Sequence, residues 1–284
     1  MKQLYELIEE VRDIIAEKLL PQFSLEKVYE TVMYTFIYTA LQRKLRDHEL
    51  LKPLENRIPQ PLLIAGRREL VGKLYDVTNH IDSILSTNKA LLIREEADLR
   101  YVVDSLKREI GGVDHVLLYD CMSLIEELVI SAFLKTKGVR SLFLNTIFLN
   151  PLGLTRFMTQ QLSDTKYQPS LFNIARYIAK QLNALTYEKN SFVDRKVHDV
   201  GLLGISEFLD KMAIEKIANE VLSAASRGRV LIISDHGYDV IASLDESYIY
   251  VVHGFKQVSG FGVIPLLLLS RVTIPMEAYG VGVP

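Results

Sequence analysis

Apolar positions near the start of the chain recur at the spacing of amphipathic helices. The first series occupies positions three or four apart, with charged residues between them: Leu4, Leu7, Ile8, Val11, Ile14, Ile15 and Leu19. Ser24 is a good N-cap for a second helix, which ends in the charged segment Lys44-Leu45-Arg46-Asp47. The pattern therefore predicts two consecutive helices before residue 48.

The helical pattern is interrupted once and then resumes. A proline-rich stretch follows the second helix and breaks its periodicity. Helical spacing returns over residues 70–84 and 95–110, and two short apolar runs, 62–64 and 90–93, are strand candidates. We therefore predict a mostly helical N-terminal module over residues 1–110.

After Gly111-Gly112 the pattern changes to short apolar runs separated by helical segments. The apolar runs predict strands at residues 113–119, 141–148, 230–233, 248–252 and 263–269. The spacing between them predicts helices at residues 124–133, 171–185 and 206–225. The segment that contains Asp194 and His198 is predicted to be a loop. Strands that alternate with helices favour a mainly parallel sheet flanked by helices, so residues 111–284 are predicted to form an α/β domain.

Composition and charge limit the classes of partner. Of the 284 residues, 49% are apolar and 24% charged, a balance typical of globular proteins. The net charge of -2 gives no excess of positive charge for a nucleic-acid backbone. The longest apolar run, at 263–269, is too short to cross a bilayer, and we see no signal-peptide pattern. The single cysteine, Cys121, excludes an intrachain disulfide and is typical of the reducing cytoplasm, where we expect this protein.

The most informative stretch is the apolar run at 230–233, which ends in Ser234-Asp235-His236-Gly237. Four apolar residues in a row predict a strand buried on both faces. Ligand-binding and catalytic groups of open α/β sheets lie at the carboxyl ends of such strands. The oxygen of Asp235 and the nitrogen of His236 suit a divalent metal such as zinc. On these residues alone, a strand end capped by polar turn residues is an equal alternative.

Other acidic residues and histidines also end predicted strands or lie in adjoining loops. They are Asp120, Asp194, His198 and His253. Together with Asp235 and His236 they make the inventory of a two-metal hydrolytic site, which needs three ligands for each ion and an open position for a substrate oxygen.

The order of these motifs resembles that of the alkaline-phosphatase-like metallohydrolases, and within them the PglZ-domain branch. The resemblance covers roughly residues 113–272 and rests on four segments in the family's chain order. These are Val116 to Asp120, Asp194-Arg195-Lys196-Val197-His198, Ser234-Asp235-His236-Gly237, and His253-Gly254 followed by Val263-Ile264-Pro265. One departure is the stretch 255–262, which lacks the carboxylates that the PglZ branch often has after its last histidine.

The resemblance implies an alkaline-phosphatase-like fold for residues 111–284 and two divalent ions, with zinc first and manganese as the second candidate. It implies that one ion is bound by Asp194, His198 and His253, and the other by Asp120, Asp235 and His236. The family also has a hydroxyl or thiol nucleophile on the second ion. The metal lowers the pKa of that group, so no separate base is needed.

Thr155 fits the family's nucleophile best, because it follows a Pro-Leu-Gly turn and opens a helix-like stretch some tens of residues after the first aspartate. Arg156 beside it could hold phosphate oxygens in a bidentate manner. Thr146 is the runner-up but lies within a predicted strand. Cys121 and Ser123 are chemically able, yet they lie in the wrong segment for the family.

These inferences predict a two-metal phosphohydrolase that acts on a phosphomonoester or a phosphodiester through a Thr155 phospho-enzyme. The alternative is a non-catalytic PglZ-type module in a defence or signalling assembly, in which the N-terminal helices contact a protein partner or a second copy. A sulfatase needs a Cys/Ser-x-Pro-x-Arg setting, which the chain lacks. A phosphomutase would need a second phosphate site, for which the sequence has no signal.

Overall fold

The computed structural model describes residues 2–45, 66–86, 94–163, 168–198, 203–246, 248–253 and 262–280. Its first part is helical, as the sequence predicts. The helices are α1 (Lys2–Ile14), α2 (Leu25–Leu45) and α3 (Gly66–Ser86), and a π-helical turn at Ile15–Leu19 follows α1. The strand candidates at 62–64 and 90–93 lie outside the described residues.

The N-terminal helices pack on one another and on α5 (Leu124–Thr136) of the following region. Helix α3 contacts both α1 and α2, and these two helices both contact α5. Helix α2 is buried over most of its surface, and its buried threonines satisfy their hydroxyl groups within the helix. Thr31, for example, donates to the Lys27 carbonyl at 2.7 Å. One continuous apolar core therefore joins this region to α5, and the division of the chain at residue 110 stays a prediction.

The helix predicted at 95–110 begins later than its apolar spacing suggests. A short 3₁₀ turn at Glu95–Ala97 precedes α4 (Leu99–Ile110). Asp98 fixes the start, because its carboxylate accepts a hydrogen bond from the Arg100 N–H at 2.7 Å. The helix ends at Gly111, whose φ of +73° lies in the left-handed region that favours glycine.

The central element is a mixed five-stranded sheet. Its strands, in spatial order, are β2 (Val139–Phe143), β11 (Met276–Gly280), β6 (Val230–Ser234), β1 (His115–Tyr119) and β4 (Thr186–Asn190). Strand β1 is parallel to both β4 and β6, whereas β11 is antiparallel to both of its neighbours. The prediction of an α/β fold with a largely parallel core and a helical N-terminal region is confirmed.

The two strands at the centre of this sheet are buried on both faces. In β1, Leu117 and Tyr119 face the core shared with the N-terminal helices. Val116 and Leu118 face a second core, formed with α4 and with α7 (Leu171–Gln181). Because successive side chains of a strand point to opposite faces, this alternation shows that helices cover both sides of the sheet.

Two predicted strands lie in a different sheet. Strands β8 (Tyr248–Val252) and β9 (Val263–Leu268) flank β7 (Asp239–Ser243), and β5 (Leu203–Gly204) extends the sheet beyond β8. All pairings in this second sheet are antiparallel. The expectation that β8 and β9 belong to a mainly parallel sheet was therefore wrong. Strand β7, which the sequence analysis missed, follows shortly after the Asp235-His236-Gly237 turn and lies between β8 and β9.

Several predicted boundaries change for local reasons. The strand predicted at 141–148 is divided into β2 and the short β3 (Phe148–Leu149), which pairs with β10 (Val272–Thr273). The helix predicted at 206–225 is two helices, α9 (Ile205–Lys211) and α10 (Ile214–Ala225), because Met212 between them takes an extended conformation.

Two further helices complete the second region. They are α6 (Thr155–Gln160) and α8 (Phe192–His198). Helix α7 ends before the predicted residue 185, and Asn183 beyond it has a φ of +55°. Among the described helices, none combines the length and the apolar character needed to cross a bilayer.

Candidate metal centre

The carboxyl ends of β1 and β6 bring Asp120, Asp235 and His236 together. Tyr119 is in register with Ser234, so the residue that follows each strand lies at the same edge of the sheet. His236 Nε2 is 3.4 Å from Asp235 Oδ2 and 4.0 Å from Asp120 Oδ1. All three side chains are buried. We call these residues the inner triad.

Backbone and side-chain hydrogen bonds fix the turn that carries the inner triad. Asp235 Oδ1 accepts from the N–H groups of Cys121, at 3.3 Å, and His236, at 3.0 Å. The Asn150 amide donates to the Asp235 carbonyl at 3.0 Å. Gly237 is required here, because a Cβ at this position would lie 2.7 Å from the Leu269 carbonyl oxygen. The remaining Asp235 oxygen, Oδ2, has no hydrogen-bond partner within the part of the chain that the structure describes.

Asp194, His198 and His253 form a second group, the outer triad. Asp194 and His198 lie four residues apart on α8 and therefore share one face of the helix. The predicted loop at this point was wrong, because residues 192–198 are helical. His253 follows β8, and Asp194 Oδ1 is 3.2 Å from His198 Nε2 and 3.5 Å from His253 Nε2.

His253 lies between the two triads. Its ring centroid is 4.4 Å from that of His198 and 4.5 Å from that of His236. The residue is 9% exposed. Among the described residues, neither of its ring nitrogens has a hydrogen-bond partner. Gly254, the second residue of the family's last motif, lies outside the described residues.

Thr155 begins α6 and reaches the inner triad. Its Oγ1 is 3.1 Å from His236 Nε2 and 3.4 Å from Asp120 Oδ1. Arg156 is exposed on the same helix. Within the described ranges it makes no hydrogen bond or ion pair with the six triad residues. The predicted nucleophile thus lies beside the predicted ligands, whereas the predicted phosphate-binding arginine is exposed and, within the same ranges, makes no such contact with them.

The other candidate nucleophiles have different surroundings. The Thr146 hydroxyl donates to Glu109 of α4 at 3.1 Å, outside the two triads. Ser123 is the N-cap of α5 and its hydroxyl donates to Glu126 at 2.7 Å. Cys121 is fully buried, and its thiol donates to the Gly237 carbonyl at 3.4 Å.

Sequence reasoning missed two residues that hold Asp120. Lys189 Nζ is 3.0 Å from Asp120 Oδ2, and the Ser191 hydroxyl donates to the same oxygen at 3.1 Å. Lys189 lies near the end of β4 and Ser191 directly follows it. This polar edge strand lacks the apolar alternation that signals a strand. Lys189 and Ser191 leave the other oxygen, Oδ1, facing Thr155 and His236.

A buried hydrogen-bond network around Glu126 of α5 holds the two turns that carry the inner triad. Glu126 Oε2 accepts from the Ser123 N–H at 2.8 Å, and Oε1 accepts from Tyr238 at 2.5 Å and from Tyr29 of α2. Burial raises the pKa of Glu126, although these hydrogen bonds partly oppose the shift. One carboxylate thus links the turn after β1, the turn after β6 and the N-terminal helices.

The electrostatics of the two triads differ. Burial raises the pKa of Asp235, and the charge of Asp120 adds to this effect while His236 opposes it. Burial also acts to raise the pKa of Asp194, but His253 and His198 outweigh it, and the net shift is downward. A divalent cation at the inner triad would relieve the repulsion between its two carboxylates.

The donor set fits divalent metal ions. In each triad the candidate ligand atoms lie within 4.8 Å of one another, and they are carboxylate oxygens and imidazole nitrogens. The unpaired Asp235 Oδ2 and the unpaired His253 nitrogens are buried polar atoms that a metal ion would satisfy. The structure therefore contains buried clusters of aspartate, histidine and cysteine that could bind a metal.

Comparison of the chain with family models, with curated proteins and with solved structures finds no match.

Proposed function

We propose that the chain is a two-metal phosphohydrolase of the alkaline-phosphatase-like type, with the sequence features of its PglZ branch. One ion would be held by the inner triad and the other by the outer triad. The observation that carries this proposal is the position of the Thr155 hydroxyl, within 3.4 Å of ligand atoms of Asp120 and His236. A hydroxyl group in this position is what nucleophilic attack on phosphorus requires.

Two divalent ions bound here would lower the pKa of the hydroxyl nucleophile and neutralise charge on a phosphoryl group. The protein's own contribution is geometric. The start of α6 places Thr155 Oγ1 beside Asp120 Oδ1 and His236 Nε2, the atoms that would face the inner ion. Lys189 and Ser191 hold the other Asp120 oxygen and limit rotation of the carboxylate.

The proposed reaction has two displacements at phosphorus. The Thr155 oxygen forms a bond to phosphorus as the bond to the ester oxygen breaks, and the alcohol leaves with a proton. Water then attacks the phosphothreonine and releases phosphate, or a phosphomonoester if the substrate is a diester, and Thr155 regains its proton. Arg156 is exposed next to Thr155, and in this proposal its guanidinium pairs with substrate oxygens.

The test compares two threonines of the same helix in the full chain reconstituted with zinc or with manganese. Hydrolysis of p-nitrophenyl phosphate and bis-p-nitrophenyl phosphate separates monoesterase from diesterase activity. Thr155→Val should lower kcat at least about 100-fold and leave the metal content unchanged. Thr159→Val is the matched control, since the Thr159 hydroxyl donates to the Arg156 carbonyl, and it should stay within about threefold of the original activity.

Full activity of Thr155→Val would contradict the assignment of the nucleophile. Two bound ions without hydrolysis of either ester class would instead support the alternative, a PglZ-type interaction module. In that case the N-terminal helices would be the first region to test for a protein partner or for self-association.

A further inference from the structure

Cys121, the residue after Asp120 of the inner triad, has an unusual backbone conformation. Its φ of +70° lies in the left-handed region, which glycine adopts without strain and cysteine does not. The residue directly follows Asp120 of the inner triad, and its side chain is fully buried. Strained residues of this kind persist where the surrounding structure holds them, often at functional sites.

The thiol of Cys121 lies among candidate metal ligands. Cys121 Sγ, a ring nitrogen of His236 and a ring nitrogen of His253 lie within 4.8 Å of one another. This third group takes one histidine from each triad. His236 Nδ1 is 2.7 Å from the Gly237 carbonyl, so Nε2 is the nitrogen that His236 can offer to a metal.

A second observation points to a ligand at this place. His253 is nine-tenths buried, yet within the described part of the chain neither of its ring nitrogens has a hydrogen-bond partner. Asp194 Oδ1 lies 3.5 Å from Nε2, too far for a good hydrogen bond, and a buried imidazole without hydrogen bonds is costly unless a bound ligand satisfies it. One side of the His253 ring faces Asp194, and a ring nitrogen is also within the reach of the Cys121 thiol.

We propose that Cys121, His236 and His253 form a thiolate-containing metal position that selects zinc over manganese. The proposal rests on the metal centre of the proposed function and adds the choice of metal. A thiolate is a soft ligand that favours zinc or cobalt, whereas manganese prefers carboxylate oxygens. The thiol releases its proton to solvent when the ion binds. This position shares His236 with the inner triad and His253 with the outer triad, so Cys121 adds a ligand to the proposed metal centre and not a third ion.

Cobalt is the direct probe, because the full chain contains a single cysteine. Cobalt titration of the metal-free chain should give visible d–d bands together with a near-ultraviolet thiolate-to-cobalt charge-transfer band, which only Cys121 can supply. Cys121→Ala should lose the near-ultraviolet band and keep the visible bands. Thr155→Val, the control beside the same triad, should keep both.

Competition with a chelator measures the selectivity independently. The ratio of zinc affinity to manganese affinity should fall about tenfold or more in Cys121→Ala. Cys121→Gly removes both the thiol and the backbone strain, so it should fold and show the same loss of selectivity. Visible cobalt bands without the near-ultraviolet band would overturn the thiolate proposal while the metal centre stands. Failure of the original chain to bind cobalt at all would reject the metal centre and this proposal together.

Discussion

The inner and outer triads contain similar ligands but are built in different ways. The side chains of Asp235 and His236 are 0% exposed, whereas those of Asp194 and His198 are 23% and 51% exposed. The inner triad lies at the ends of two central strands, and the outer triad combines a short helix with the end of a strand of the second sheet. The comparison teaches that one candidate metal position is preorganised by the sheet, while the other depends on elements near the surface.

Loss of an inner ligand should have the largest effect. His236→Ala removes a ligand of the inner triad and a neighbour of the Thr155 hydroxyl. We expect phosphoester hydrolysis to fall at least about a thousandfold. The assay is steady-state hydrolysis at saturating zinc. Substantial retained activity in this variant would contradict the inner triad as the site of chemistry.

Loss of an outer ligand should have a smaller effect that excess metal can repair. His198→Ala removes the most exposed ligand, and we expect the affinity for the second ion to fall about 10- to 100-fold. Activity should return in part as the zinc concentration is raised. Isothermal titration of metal-free protein measures the two affinities. Equal losses of activity and metal affinity in His198→Ala and His236→Ala would show that the two triads do not differ in this way.

A chelator should remove the two ions in separate steps, and the two steps should lower Tm by different amounts. We expect the outer ion to leave first, with little change in Tm. The inner ion should leave later, with a larger decrease in Tm. An ion present at about a hundredfold excess over its Kd stabilises the folded chain by about 2.7 kcal/mol. Thermal unfolding at successive chelator concentrations measures both steps, and a single simultaneous loss would argue against two unlike positions.

The contribution of the Glu126 hydrogen-bond network to the inner triad should be measurable by substitution of Tyr29. Tyr29→Phe removes one of the hydrogen bonds to Glu126, and we expect a loss of about 1 kcal/mol of stability and a severalfold weaker inner ion. Tyr34→Phe on the same helix is the control, since the Tyr34 hydroxyl contacts Ser206 and not Glu126. Unchanged metal affinity in Tyr29→Phe would show that the N-terminal helices do not position the triad.

The smallest predicted change concerns Glu127 on α5, beside Glu126. Burial raises the pKa of Glu127 well above its usual value, and the charge of Glu126 adds to this shift. A raised pKa in the folded state stabilises the fold below the unfolded-state pKa, and this contribution is lost as the pH rises through the folded-state pKa. Glu127→Gln should therefore be more stable than the original chain at about pH 8.

Chemical denaturation of both chains across the pH range measures this difference. The stability of Glu127→Gln should depend less on pH, and metal binding at the inner triad should be unchanged. A variant less stable than the original at alkaline pH would show that the charged form of Glu127 is satisfied in the fold.

The strands that carry the inner triad could be predicted because each contains an unbroken run of apolar residues. Strands β1 and β6 are buried on both faces, and their pattern shows this directly. Strand β4 could not be predicted, because an edge strand with the sequence Thr-Tyr-Glu-Lys-Asn has no apolar alternation. The contacts of Lys189 and Ser191 with Asp120 were hidden for the same reason, since they depend on the register of that strand.

The outer triad shows a second limit of sequence reasoning. The spacing of Asp194 and His198 predicts a shared role, but their charged neighbours indicate a loop where the structure has a helix. His253 follows β8 as predicted, yet β8 lies in the second, antiparallel sheet. The backbone strain at Cys121 has no signature in the sequence, because any residue type can occupy a turn that tertiary contacts enforce.

The most direct test of the central claim is the metal content per chain, measured by elemental mass spectrometry after reconstitution of the full chain with zinc. The account predicts about two equivalents in the original chain and about one in His198→Ala. No retained metal in the original chain would contradict it, because the six residues would then not form a metal centre.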